Sequence, residues 1–166
     1  MKRFRGLEFH PFVEEDVRVL TPVMKHAFDA GAKKDTGKSH GGPPGYDNGG
    51  FLKRFALDPK STAFKVVKAG KPVGGLILWL SKSGSNRLGC IFVDAPLHDK
   101  GIGTTMWKFV EKEYQDTKVW RTNTPGFTPS THVFYVNKCG FRVVKIAHPR
   151  EPEKISYLME KVMTER

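Results

Sequence analysis

The fold is decided by residues 88–104, which read LGCIFVDAPLHDKGIGT. The first six residues form an apolar run typical of a buried strand, and the last four open a helix at Gly101 and Gly103. With no Cβ at either glycine, a ligand can approach the main chain closely, and the first-turn N–H groups favour an anion. Lys100 adds a positive charge beside them. The segment predicts either an anion-binding turn or a strand-to-helix corner without a ligand.

The remaining elements follow from periodicity on both sides of this segment. Apolar residues at helical spacing predict a helix after the glycine turn, and three successive antiparallel strands precede it. Residues 31–50 are rich in glycine and proline and predict a long, shaped loop that begins where the first helix ends at Gly31. The predicted strands are 7–12, 62–68, 72–80, 88–93, 118–122, 140–146 and 155–162, and the predicted helices are 13–30, 51–57, 101–114 and 128–137.

Length and charge limit the kinds of protein that this chain could be. The chain has 166 residues, with 28 Lys and Arg against 17 Asp and Glu and a formal net charge of +11, which fits one ordinary domain over 1–166. The first half carries 15 basic and 8 acidic side chains and the second half 13 and 9, so both are basic. Such a charge attracts nucleic acid, an acidic membrane surface or a phosphorylated cofactor without selecting among them. The alternative is that the basic side chains form a solvated surface with no partner.

Several classes of protein are not expected. No apolar run approaches the ~20 residues of a membrane span, and the first residues lead into no apolar signal core, so we expect a cytoplasmic protein. The two cysteines, Cys90 and Cys139, lie far apart and the histidines show no metal-ligand spacing, so we expect no disulfide framework and no metal. Gly37-Lys38-Ser39 looks like the end of a P-loop, but that motif needs a glycine where Ala32 stands.

Two motifs together resemble a known family. His98-Asp99-Lys100-Gly101-Ile102-Gly103 is similar to the pyrophosphate-binding motif of the GNAT superfamily of N-acetyltransferases, with His98 where Gln or Arg is usual. Residues 132–141, HVFYVNKCGF, resemble the family's short helix with an aromatic pair followed by Gly-Phe. Four residues separate Tyr135 from Gly140 here, and the family more often has three. The motifs stand in the family's order, and the resemblance covers essentially the whole chain.

The resemblance implies a fold and a binding mode for acetyl-CoA. The expected fold is α/β, of the α+β kind: a mixed, largely antiparallel sheet of six to seven strands, flanked by about four helices, with splayed central strands. The pantetheine of acetyl-CoA is expected in the gap, and the backbone N–H of Val93 is expected to stabilise the oxyanion of the tetrahedral intermediate. The residues implied in cofactor binding are Ile91, Phe92, Val93, His98, Asp99, Lys100, Gly101, Ile102, Gly103, Thr104, Asn137 and Lys138.

The implied chemistry is direct attack of an amine on the thioester, which needs a proton for the leaving thiolate. Tyr135 is the candidate donor, because a phenol is protonated at neutral pH; its alternative role is a packing aromatic. Asp94 is a candidate base or only a turn cap, and Cys139 is expected to be a buried hydrophobe rather than an acyl carrier. The candidate acceptor-site residues, which otherwise form a plain exposed loop, are His40, Tyr46 and Asp47.

The partners expected are acetyl-CoA and an amine acceptor, either a small molecule or a peptide or protein. A catalytically silent acyl-CoA-binding module and a basic nucleic-acid-binding protein are the alternatives. We do not expect nucleic-acid binding, because the sequence contains no recognisable motif for it. A homodimer is a guess from the family alone.

Overall fold

Eight strands form one sheet in the computed structural model, which describes residues 1–164. Seven of the eight correspond to the predicted strands. The strands are β1 (Lys2–Phe4), β2 (Leu7–Pro11), β3 (Thr62–Lys68), β4 (Lys71–Trp79), β5 (Ser85–Val93), β6 (Val119–Pro125), β7 (Arg142–Ala147) and β8 (Ser156–Val162).

Helices cover both faces of the sheet. The longest, α1 (Glu15–Thr36), lies on one face and α2 (Ile102–Glu113) on the other, while α3 (Pro129–His132) is a single turn. Two π-helical segments, Leu52–Ala56 and Val133–Lys138, and a 3₁₀ turn at Ala95–Leu97 complete the set. The expected mixed architecture with about four helices is confirmed.

The strand order is β1-β2-β3-β4-β5-β6-β8-β7, and every neighbouring pair is antiparallel except β5 and β6. The expected six to seven strands are one too few, because β1 pairs with β2 through a two-residue turn. Arg5 and Gly6 form that turn with φ of 49° and 84°. Residues 2–4 are Lys-Arg-Phe, and three residues without apolar alternation give no strand signal.

Alternate residues of the strands feed two cores, one on each face. Leu76 and Leu78 of β4 point into the core under α2, and Ile77 points into the core under α1. Under α2, Phe9 stacks on Phe109 with ring centroids 3.7 Å apart and planes 13° from parallel. These apolar contacts fix α1 and α2 to opposite faces of the sheet.

The first helix runs further than its sequence pattern predicts. It continues past Gly31 to Thr36 and ends at Gly37, whose φ of 75° and N–H bond to Lys33 form the C-cap. Lys33 and Lys34 lie in the last turn, where cations interact favourably with the helix dipole. The predicted end at Gly31 is therefore wrong, because one glycine costs only about 1 kcal/mol in a helix.

Gly31→Ala is expected to stabilise the protein by about 0.5–1 kcal/mol. Nothing lies within 4 Å of a Cβ built at Gly31, so the new methyl removes only the entropic penalty of a helical glycine. Urea unfolding of the two proteins measures the difference. A destabilised variant would mean that α1 does not continue through this position.

Candidate active site

A cleft opens between β5 and β6, the two parallel strands. Their pairing covers only three residues, ending at Arg87 opposite Arg121. Just beyond, β5 contains a bulge: Leu78 pairs with Leu88 and Ile77 with Cys90, which leaves Gly89 without a partner on β4. A bulge bends its strand. No local sequence pattern indicates this bulge, and its position accounts for the expected splay of the central strands.

Thr122 bridges the strands at the apex of the cleft. Its hydroxyl, which is buried, donates a 2.9 Å hydrogen bond to the Leu88 carbonyl. If β5 and β6 continued to pair, a backbone hydrogen bond would occupy this position. The Thr122 side chain forms the bond to β5 in its place. It fixes the width of the cleft at its closed end.

The main chain of β5 alternates between β4 and the cleft. Asp94 N–H donates to the Val73 carbonyl over 2.8 Å, and the Phe92 carbonyl lies 2.2 Å from the position a Cβ would take at Gly74, so both face β4. Because N–H and C=O directions alternate along a strand, Ile91 and Val93 face the cleft. Of the three residues expected to pair with pantetheine, Phe92 instead directs its backbone toward β4.

The turn before α2 presents unpaired N–H groups beside the cleft. Gly101 is the N-cap with φ of 81°, and the first helical bond runs from Thr105 N–H to its carbonyl over 3.0 Å. The N–H groups of Ile102, Gly103 and Thr104 precede that bond and have no acceptor within the helix. An anion at this turn would meet three donors and the positive end of the helix dipole.

The two glycines of the turn serve different purposes. A side chain at Gly101 would find open space but would be strained by the positive φ. A Cβ at Gly103 would lie 3.0 Å from the ring of Phe134 and 3.7 Å from Val93 Cγ2. Gly103 therefore allows α2 to pack closely against the Phe134 ring and the end of β5.

His98 and Asp99 shape the same turn. The Nε2 atom of His98 lies 2.6 Å from the carbonyl oxygen of Val93 and holds this cleft-facing group. Asp99, with φ of 62°, lies 3.9 Å from Lys34 of α1. Lys100 is exposed. His98 thus contacts the proposed pantetheine path itself, although Gln or Arg is usual at its position.

Tyr135 lies at the apex of the cleft, within the π-helical segment Val133–Lys138. The Cys139 N–H bonds to the Phe134 carbonyl five residues earlier, so the π turn takes up the extra residue between Tyr135 and Gly140. The Tyr135 ring packs against Phe134 and Phe141, with centroids 5.3 and 5.9 Å away. The longer spacing seen in the sequence is therefore accommodated locally.

The Tyr135 hydroxyl is buried beside Thr122, Cys90 and Cys139. Burial raises the pKa of Tyr135 well above its usual range, and the neighbouring Cys90 and Cys139 raise it further. Burial also raises the pKa of each cysteine to about 12. The phenol therefore holds its proton at neutral pH, and Cys139 is a neutral, buried thiol.

Asp94 ends β5 and caps the turn that follows it. Its Oδ1 accepts the Ala95 N–H over 2.9 Å and lies 3.8 Å from Nδ1 of His26 on α1. Within residues 1–164 no hydrogen bond reaches Oδ2. Asp94 therefore caps the turn through Oδ1, and its Oδ2 is left for solvent or substrate. His26 belongs to no motif, so no sequence pattern marks it as part of the site.

The loop after α1 is anchored by Asp29, which the sequence analysis also missed. Asp29 accepts hydrogen bonds from the Tyr46 hydroxyl at 2.6 Å and the Gly41 N–H at 3.3 Å, and it lies 2.5 Å from Lys25 and 3.4 Å from His40. Burial opposes the charge of Asp29, but the bonds from Lys25, Tyr46, Gly41 and His40 together hold its pKa well below the usual range.

Of the three candidate acceptor-site residues, the structure buries one and exposes two. Tyr46 is 8% exposed, and its bond to Asp29 together with burial raises its pKa to about 12. His40 and Asp47 lie on the surface of the loop. Asn137 and Lys138 are exposed at the end of the π-helical segment whose Phe134 contacts the Gly103 position.

Tyr46→Phe is expected to destabilise the protein by about 1.5–3 kcal/mol, the range for a hydrogen bond to a charged group. It should also reduce the loss of stability in acid. A carboxylate whose pKa is lowered by folding stabilises the folded state at pH values above its unfolded pKa, which is 3.8 for Asp29. It loses that contribution as the pH falls below this value.

Thermal unfolding between about pH 7 and 3 measures both effects. Tyr157→Phe is the control, and equal losses in the two variants would contradict the role of Asp29.

The last turn of α1 contacts both sides of the cleft. Lys34 reaches Asp99 after β5, and Asp35 accepts bonds from Ser130 after β6, from its N–H at 3.1 Å and its hydroxyl at 2.5 Å. These contacts depend on the five helical residues beyond Gly31 that the sequence did not predict. They hold the two sides of the cleft in a fixed relation.

Residues 1–164 contain no membrane-spanning helix and no cluster of metal-binding side chains. No helix there is long and apolar enough to cross a membrane. No group of three or more histidine, cysteine or acidic side chains lies close enough together to hold a metal ion.

Comparison with known proteins assigns the family. The sequence profile of the Acetyltransferase (GNAT) family matches residues 22–141. The chain is 32% identical over 133 residues to the uncharacterised protein YrkN of Bacillus subtilis, covering 80% of this chain and 71% of that one. Among solved structures, an acetyltransferase from Thermus thermophilus superposes with a TM-score of 0.74 at 18% identity, covering 98% of this chain and 100% of the other.

A second solved structure contains coenzyme A. The PaiA N-acetyltransferase from Thermoplasma acidophilum, in complex with coenzyme A, superposes with a TM-score of 0.72 at 15% identity, covering 95% of this chain and 99% of that one. The chain belongs to the GNAT family of acetyltransferases, whose members use acetyl-CoA as the acyl donor.

Proposed function

We propose that the protein is an N-acetyltransferase that moves the acetyl group of acetyl-CoA directly to a primary amine. The observation that carries this proposal is the continuity of the cleft. It leads from the N–H groups of the turn at Gly101, past the cleft-facing main chain of Val93 and Ile91, to the hydroxyl of Tyr135 at the apex. The cleft thus offers, in this order, a binding place for the phosphates, the extended pantetheine arm and the reacting thioester of acetyl-CoA.

The length of the pantetheine arm places the thioester deep in the cleft. The arm spans several residues of an extended strand, each of which rises about 3.3 Å. Val93 lies against the phosphate turn, where its Cγ2 is 3.7 Å from the position of a Gly103 Cβ. The thioester is therefore expected further back, at Ile91 and the Gly89 bulge. We assign the N–H that stabilises the oxyanion to Ile91, in place of Val93, and assign Val93 to the arm.

Tyr135 is proposed as the general acid. The amine nitrogen attacks the thioester carbonyl, the C–N bond forms, and the C–S bond breaks as the phenol gives its proton to the departing sulfur. A neutral phenol is needed for this step, and burial keeps the phenol neutral. The proton lost by the attacking nitrogen restores the phenol through water, so that the net change is acetyl to nitrogen and hydrogen to sulfur.

Asp94 is the candidate base for this step: it takes the proton from the attacking nitrogen and passes it on through water to the phenol. It follows β5 directly, and its Oδ2 is left open by the cap and by His26. The acceptor amine would approach under α1, where the anchored loop with His40 and Asp47 covers the same end of the sheet. This geometry is compatible with a small amine or with a peptide, and the acceptor class is open.

A thiol-release assay tests the proposed activity. The purified protein is mixed with acetyl-CoA and a panel of small polyamines, amino acids and peptides with free N-termini or lysines, and free CoA is measured against time. We expect release above hydrolysis with at least one class of amine, and mass spectrometry should find the acetylated nitrogen. Tight acetyl-CoA binding without release for any amine would instead support a catalytically silent acyl-CoA-binding module.

A further inference from the structure

One face of the molecule carries a groove lined with basic side chains. It lies between β1 and α2, has a volume of about 600 Å³, and is lined by Arg3, Phe4, Arg5, Lys108, Glu111 and Lys112. A smaller cavity of about 100 Å³ continues it to the start of α2, where Lys68 and Lys100 join Arg5. We call the two together the α2 groove.

The positive charge of the α2 groove is not neutralised by neighbouring acids. Three acids near it already have cationic partners: Glu111 lies 2.9 Å from Lys161, Glu113 contacts Lys2, and Glu8 lies 3.6 Å from Arg3. Five cations of the groove form no salt bridge with any acid of residues 1–164, and these are Arg5, Lys68, Lys100, Lys108 and Lys112. This unpaired charge is the main feature of the α2 groove.

The fold gathers this charge from segments that are distant in sequence. Arg5 comes from the β1–β2 turn, Lys68 from the end of β3, and the other three cations from α2 and the turn before it. In the sequence the basic residues are divided almost evenly between the two halves of the chain. The expectation that nucleic acid is not a partner rested on the absence of a recognisable motif, and a motif does not reveal this arrangement of distant residues.

The dimensions of the groove fit a chain of phosphates. From Gly101 to Lys112 the helix rises about 16 Å at 1.5 Å per residue, which is longer than a single phosphate group. The Phe4 ring has Arg5 at 4.9 Å and Lys112 at 5.5 Å from its centroid, so it is engaged by cations rather than free to stack on a base. The edge strand β1 is three residues long, too short to pair well with an added peptide strand.

We propose that the α2 groove binds the phosphate backbone of nucleic acid without reading its sequence. Lysine and arginine contacts to phosphates supply this kind of affinity, and the groove offers cations without a stacking platform. Lys108 and Lys112 lie along α2, outside the proposed acetyl-CoA cleft, whereas Arg5 lines the smaller cavity together with Gly101 and Ile102 of the phosphate turn. The binding is a second property of the chain, distinct from the proposed acetyl transfer, and the groove meets the proposed acetyl-CoA site only at this end.

Fluorescence anisotropy with a labelled single-stranded RNA of mixed sequence tests the proposal. At about 0.1 M salt the full chain should bind the RNA, and log K should fall against log salt with a slope of about −3, as expected for about four neutralised phosphates. The triple variant Arg5→Gln, Lys108→Gln, Lys112→Gln should bind at least tenfold more weakly, with a slope of about −1.

The matched control removes the same charge from other parts of the surface, with Lys60→Gln, Lys82→Gln and Arg150→Gln, which are exposed residues. Equal loss in the two triple variants, or no RNA binding by the native chain, would overturn the proposal. Poly-glutamate that binds with the same affinity and salt slope as RNA would also overturn it, because the groove would then bind any polyanion. Acetyl-CoA affinity, measured on the same samples, reports separately on the cleft.

Discussion

Tyr135→Phe is expected to lower kcat for acetyl transfer by about 10² to 10⁴, the range that a positioned general acid supplies. Acetyl-CoA affinity should change less than about twofold. The ring packs between Phe134 and Phe141, and phenylalanine keeps those contacts. The change removes only the hydroxyl, which faces Thr122 at the apex of the cleft. Steady-state kinetics and calorimetry on the same preparations separate turnover from binding.

Tyr114→Phe is the matched control for this prediction. Tyr114 lies at the C-terminal end of α2, and burial raises its pKa as well. It has no role in the proposed mechanism. Its variant should retain native kcat. If Tyr135→Phe and Tyr114→Phe turn over equally fast, Tyr135 is a packing aromatic and the proton for the thiolate comes from elsewhere.

Gly103→Val is expected to weaken acetyl-CoA binding at least tenfold. A Cβ at this position already lies 3.0 Å from the Phe134 ring, and a branched side chain would separate the first turn of α2 from that ring. The N–H groups of Ile102, Gly103 and Thr104 would then move away from the end of β5, where Val93 directs its main chain into the cleft. Calorimetry measures the loss in affinity.

Two further variants keep this second prediction testable if valine prevents folding. Gly31→Val places the same side chain in α1, where nothing lies within 4 Å, and should bind acetyl-CoA normally. Gly103→Ala combined with Phe134→Leu gives the methyl group more room and should recover much of the affinity lost by Gly103→Ala alone. Native affinity in Gly103→Val would show that the turn does not hold the pyrophosphate.

The sequence predicts the framework of this site because the framework depends on local pattern. The apolar run at 88–93, the glycine turn and the periodic helix after it are confirmed as β5, the turn at Gly101 and α2. Each of these features is determined within a few residues by side-chain periodicity and by the freedom of glycine. The family resemblance is confirmed by the profile match over residues 22–141.

The features missed by the sequence analysis depend on tertiary contacts. The bulge at Gly89 exists only relative to β4, and the π turn around Tyr135 is set by how its helix meets the sheet. The last turn of α1 is held by contacts of Lys34 and Asp35 with the two sides of the cleft. No local pattern encodes these contacts.

The measurement that tests the central claim most directly is calorimetric titration of the native protein with acetyl-CoA, beside CoA and ATP at the same salt concentration. The proposed cleft predicts that acetyl-CoA and CoA bind at one site per chain and much more tightly than ATP, because ATP lacks the pantetheine arm that the main chain of Ile91 and Val93 is proposed to bind. No binding of acetyl-CoA, or affinities that follow phosphate charge alone, would contradict the assignment of the cleft.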